Sequence, residues 1–116
     1  MSYILVIDDE QYICWLVEEA LTAAGYKVKT ATDWQKGLET AAAERPALVL
    51  LDLKLPGTEG RALLKEIERL AVGVPIVIMT GDVATCAGPT VAGYLIKPFD
   101  LDDLRCLVQK TVPFLP

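Results

Sequence analysis

Five side chains in this sequence have the types and positions that phosphorus chemistry requires. Asp8 and Asp9 close the apolar run Tyr3-Ile4-Leu5-Val6-Ile7, and Asp52 closes Ala47-Leu48-Val49-Leu50-Leu51. Thr80 follows Val77-Ile78-Met79, and Lys97 follows Tyr94-Leu95-Ile96 and precedes Pro98, which lacks an N–H and fixes the local turn. Apolar runs of this length, bounded by polar residues, read as strands buried on both faces of a parallel sheet. In open sheets of that kind ligands bind beyond the carboxyl ends of the strands, so all five side chains share one edge. Three carboxylates brought together there repel one another unless a cation sits between them, and an all-oxygen cluster suits a hard ion such as Mg²⁺. An acid as nucleophile, a metal and a lysine to neutralise equatorial oxygens, and a hydroxyl donor suit phosphoryl transfer to a carboxylate. The chain has no histidine, and this chemistry needs little acid–base help from the protein. Each residue also has a plainer role open to it. Asp8 and Asp9 can serve as charges at the start of a helix, Thr80 as a turn hydroxyl, and Lys97 as a surface lysine.

The elements that must position these groups alternate. A helical stripe of Ile13, Leu16, Val17, Ala20, Leu21 and Ala24 follows the first strand and stops at Gly25. Tyr26 to Thr30 reads as a short second strand. Thr32 or Asp33 caps a second helix with Trp34, Leu38, Ala41 and Ala42 inward, ended before Pro46. After the third strand at 47–51, Pro56-Gly57 makes a turn and Gly60 leads into a helix burying Leu63, Leu64, Ile67 and Leu70. Val74 to Met79 is a fourth strand and Val91 to Ile96 contains a fifth. Asp100 caps a last helix with Leu101, Leu104, Leu107 and Val108 inward, ended by Pro113. Five βα repeats predict an α/β domain with right-handed crossovers.

Length and composition set the outer bounds. A chain of 116 residues, 53% hydrophobic, reads as a single domain over 1–116 with a sizeable core. Its net charge of −5 and lack of a basic run argue against direct nucleic-acid binding. No basic-then-apolar leader opens the sequence, and no apolar stretch is long enough to span a membrane. Cys14, Cys86 and Cys106 are odd in number and widely spaced. They read as reduced thiols, which gives a cytoplasmic expectation.

Asp8-Asp9, Asp52, Leu55-Pro56-Gly57, Thr80 and Lys97-Pro98-Phe99 together resemble the receiver domain of two-component response regulators, over essentially the whole chain and in order. The resemblance implies a flavodoxin-like fold, a three-layer (βα)5 sandwich with a five-stranded parallel sheet in the order 2-1-3-4-5. It also implies acceptance of a phosphoryl group from a phosphohistidine on a histidine kinase or histidine phosphotransfer protein. Asp52 would be the phosphorylated residue, Asp9 a direct Mg²⁺ ligand, Asp8 a ligand largely through water, and the Lys54 backbone carbonyl a further one. Lys97 would pair with Asp52 and then with the phosphoryl group, Thr80 would move to bond it, and Tyr94 would be the switch aromatic. Tyr12, Ile13 and Trp15, with Pro98 and Phe99, are the candidate docking patch for the partner's helix. The downstream protein is not legible.

One stretch departs from the family. The interval from Thr80 to Lys97 is over a helical turn shorter than receivers usually show, and Gly88-Pro89 interrupts it. A shortened or irregular fourth helix is therefore expected, with output through that face altered or lost. Lys54 and Asp82 are expected to pair across the pocket mouth. Two further readings stay open: an interaction module that works without phosphorylation, and an Asp-nucleophile phosphatase using Asp8 and Glu10, in which Asp52 and Lys97-Pro98 have no role. The ending Pro113-Phe114-Leu115-Pro116 fits a stand-alone protein and equally the start of a linker.

Overall fold

A computed structural model describes residues 2–82 and 91–112. Strands β1 (Ile4–Ile7), β2 (Val28–Ala31), β3 (Leu48–Asp52), β4 (Ile76–Thr80) and β5 (Gly93–Ile96) form one sheet. All pairings are parallel, in the order β2-β1-β3-β4-β5. The helices are α1 (Gln11–Ala23), α2 (Trp34–Ala43), α3 (Gly60–Leu70) and α4 (Leu101–Thr111). The shortened fourth helix expected between β4 and β5 falls on residues 83–90, outside the described residues.

Side chains alternate across a strand, so each apolar run feeds two cores. Tyr3, Leu5, Ile7, Val49, Leu51, Ile76 and Ile78 face α2 and α3, where they meet Ala41, Leu63, Leu64 and Ile67. Ile4, Val6, Leu48, Leu50, Val77 and Met79 face α1 and α4, where they meet Val17, Leu21, Leu104 and Val108. Burial on both sides explains why β1, β3 and β4 read as unbroken apolar runs rather than alternating ones.

Several boundaries differ from the sequence reading. β2 starts at Val28, because Tyr26 belongs to the turn: its N–H donates to the Leu21 carbonyl, and its hydroxyl donates to the Val112 carbonyl. β4 begins at Ile76, since Pro75 has no N–H to give to a ladder and instead offers its carbonyl to the Val49 N–H. Asp33, not Thr32, caps α2, its carboxylate accepting from the Lys36 N–H at 2.7 Å. On α1 the buried set includes Cys14, whereas Ala24 lies past the helix end and is exposed. On α2 the inward position is Gly37 rather than Ala42, which is exposed. A Cβ on Gly37 would come within 2.6 Å of Ile7 Cδ1, so the bare backbone lets α2 lie close on β1.

Candidate functional site

The register brings the carboxyl ends of β1, β3 and β4 to one edge, with Ile7 beside Leu51 and Asp52 beside Met79. Asp8 therefore emerges beside Asp52, and Asp8, Asp9 and Asp52 each offer an oxygen, all within 4.8 Å of one another. Asp8 is fully buried and Asp52 nearly so, while Asp9 is exposed. Asp8 Oδ1 accepts from the Glu10 N–H at 2.9 Å, and Asp52 Oδ1 accepts from the Lys54 N–H at 2.8 Å. These bonds turn the two carboxylates over the loop that follows each strand. Neither Asp8 nor Asp9 caps α1; the cap position is Glu10, whose side chain makes no capping bond.

Lys97 reaches into this cluster from the end of β5. Its ammonium donates to Asp8 Oδ2 at 2.7 Å, to Asp52 Oδ2 at 3.2 Å and to Glu10 Oε1 at 3.2 Å. The backbone fixes its entry: the Lys97 N–H donates to the Thr80 carbonyl at 2.7 Å, and the Lys97–Pro98 peptide is cis. Burial works against the Lys97 charge, but its bond to Asp8 and the charges of Asp8 and Asp52 outweigh that, holding the ammonium above the ordinary lysine range. Burial pushes the Asp8 carboxyl above the usual carboxylate range, against the opposing pull of Lys97 and the Glu10 N–H. Thr80 is buried at the end of β4, its Oγ1 accepting from the Asp82 N–H at 3.0 Å.

Among the described residues, Lys97 meets the carboxylates of Asp8, Asp52 and Glu10, and Asp9 lies beside Asp8 and Asp52; the excess of negative oxygen donors fits a hard divalent cation. Asp8, Asp9 and Asp52 are the residues that could hold it. Beneath them the Cys14 thiol donates to the Asp8 carbonyl at 3.3 Å. Burial, with the charge of Asp8, pushes that thiol up to about 11.

The remaining expected residues are placed as follows. Tyr94 is half-buried on β5, paired with Ile78 and packed against the core beneath α2 and α3. With Pro98, Phe99, Cys106 and Lys110 it lines a groove of about 420 Å³ between β5 and α4. Tyr12 and Trp15 are 65% and 54% exposed, with rings stacked at a centroid separation of 6.1 Å. Ile13 and Phe99 are partly buried against the core below α1 and α4, and Pro98 is exposed. The ion pairs among the described residues do not include the expected Lys54–Asp82 pair. Two participants had no part in the receiver reading of the sequence: Glu10, which entered only the phosphatase alternative, and Cys14, read only as a reduced thiol. For Glu10 the only signal was adjacency to Asp8-Asp9.

Comparison with known proteins gives the family. Residues 4–109 match the response regulator receiver domain, and the chain belongs to that family. It is 38% identical over 112 residues to the DNA-binding transcriptional regulator NtrC of Escherichia coli K12, covering 92% of this chain and 24% of that one. It thus spans about a quarter of the length of the NtrC proteins it matches. The sporulation initiation phosphotransferase F of Bacillus subtilis is 35% identical over 115 residues, covering 95% of this chain and 93% of the other. Among solved structures, the response regulator TrrA of Thermotoga maritima, in complex with Mg²⁺-BeF, superposes with a TM-score of 0.87 at 30% identity. That match covers 97% of this chain and all of the other. The flavodoxin-like fold and strand order expected from the resemblance are those observed. No helix among the described residues is long and apolar enough to cross a membrane.

Proposed function

We propose that this receiver accepts a phosphoryl group on Asp52 from a phosphohistidine of a histidine kinase or phosphotransfer protein. The observation that carries the reading is Lys97 bonded to both Asp8 and Asp52 where three carboxylates converge. An Asp52 carboxylate oxygen attacks phosphorus, the P–O bond forms as the P–N bond breaks, and the imidazole leaves with its electron pair. Lys97 neutralises charge on an equatorial oxygen, and the Thr80 hydroxyl turns from its bond with Asp82 to donate to another. Asp9 directly, Asp8 largely through water, Asp52 and the Lys54 carbonyl would hold Mg²⁺, which supplies charge neutralisation on the transferring group when bound. The TrrA structure, which is in complex with Mg²⁺-BeF, supports Mg²⁺ as the ion.

Tyr94 follows Thr80 inward as the switch aromatic and passes the change to the groove beside it. The stacked Tyr12–Trp15 pair, with Ile13, Pro98 and Phe99, receives the donor's helix, and an as yet unidentified protein reads the result. The net charge of −5 supports a domain that acts on proteins rather than on nucleic acid. The domain spans 1–116 and works in the cytoplasm. The phosphatase alternative gives Asp52 and Lys97 no part, whereas here Lys97 bonds Asp52 as well as Asp8, which favours the receiver reading. Beryllofluoride with Mg²⁺, followed by amide NMR, tests the site. Mg²⁺-dependent shifts at Asp52, Thr80 and Lys97 are expected, and no shift at any of them would overturn the reading.

A further inference from the structure

Of the three carboxylates bonded to Lys97, Glu10 is the one that the transfer just described leaves without a role. An ammonium has three donor hydrogens, and those of Lys97 face three carboxylates. The three partners differ in what they lose by letting go. The Asp8 side chain is fully buried, that of Asp52 is 7% exposed, and that of Glu10 is 58% exposed. Releasing Asp8 would strand a buried charge. Releasing Glu10 returns a carboxylate to water at small cost. Glu10 stands at the cap position of α1, yet its side chain makes no capping bond there, so Lys97 is the partner it holds.

We propose that Glu10 is a positioning residue, a latch that draws the Lys97 ammonium toward the start of α1 and makes an arriving phosphoryl group compete for it. The inference rests on Asp52 being the acceptor. An equatorial phosphoryl oxygen needs a Lys97 donor, all three are engaged, and Glu10 is the partner that exchanges. The latch raises the occupancy of the resting arrangement and lowers the affinity for the phosphoryl group. The contact is of the exposed class, which sets its size at roughly two- to fivefold in affinity.

The test uses the full chain, wild type, Glu10→Gln and Glu10→Ala, titrated with beryllofluoride at saturating Mg²⁺ and followed by amide NMR. The Lys97 side-chain methylene signals are recorded before Mg²⁺ is added. Glu10→Ala is expected to bind beryllofluoride about two- to fivefold more tightly. Glu10→Gln, which keeps an acceptor oxygen without the charge, is expected to fall between, and the Lys97 signals should move in both variants and further in Glu10→Ala. Unchanged or weaker binding overturns the latch. Tighter binding with unmoved Lys97 signals also overturns it, because the effect would then be direct repulsion of the anion. Failure of the wild type to bind removes the Asp52 reading and the latch with it, which separates the two.

Discussion

Asp52 and Asp8 sit nearly or fully out of solvent, each held by one backbone N–H and sharing the single ammonium of Lys97 among the described residues, so the resting site stores electrostatic repulsion. Asp52→Asn should relieve part of it. The variant is expected to keep its fold, with a thermal midpoint at or above that of the wild type, while losing all acid-labile phosphate. A lowered midpoint in calorimetry would contradict the repulsion. Tyr3 is a second residue whose ionisation matters. Its hydroxyl donates to the Glu44 carbonyl at 2.6 Å and to the Thr40 carbonyl at 3.2 Å, closing the end of α2. Burial, then the Glu44 charge, push this phenol up to about 12 from its ordinary 10.0. Folding thus favours the protonated form; the stability it brings is complete below pH 10 and is lost as pH rises through about 12. Tyr3→Phe should cost about 1 kcal/mol near neutrality and flatten the alkaline limb of stability against pH, as urea midpoints would record. The acids, Thr80 and Lys97 were legible because each closes an apolar run. The Glu10–Lys97 and Cys14–Asp8 contacts were not, since they depend on how the loop after β1 turns and on a thiol that apolar counting reads only as a small residue.

The start of α3 shows how an element is set by one close approach. A Cβ on Gly60 would overlap the Leu53 carbonyl oxygen and lie 2.8 Å from Leu53 Cβ. A backbone carbonyl cannot swing aside as a side-chain tip can. Overpacking of this kind costs about 1–3 kcal/mol, against a gain of about 1 kcal/mol in helix propensity. Gly60→Ala is therefore expected to lose up to about 2 kcal/mol, read from a urea midpoint; a gain would mean that the loop after Asp52 is free to shift. The order and type of the described elements were legible from periodicity, because runs buried on both faces and capped helices leave clear traces. Their ends were less so. Pro75 reads as apolar yet gives no N–H to a ladder, and Gly37 carries no hydrophobic signal although its backbone packs on Ile7.

At the scale of the whole molecule, five parallel strands serve to bring the ends of β1, β3, β4 and β5 to one edge, and folding assembles the acid cluster. A cation bound there stabilises the native state alone. Mg²⁺ at a hundred times its dissociation constant should add about 2.7 kcal/mol, reversed by a chelator and lost in Asp9→Asn. A midpoint indifferent to Mg²⁺ would mean that the cluster holds no ion. The strand order came from the family resemblance and not from periodicity, which orders elements along the chain but says nothing of which strands are neighbours. The most direct test of the central claim is to incubate the protein with acetyl phosphate and Mg²⁺, then map the phosphoryl group by mass spectrometry of peptides. One acid-labile phosphoryl group on the peptide holding Asp52, dependent on Mg²⁺ and absent from Asp52→Asn, is the expected result. Phosphate found on Asp8 or Asp9 instead, or uptake that survives Asp52→Asn, would contradict it.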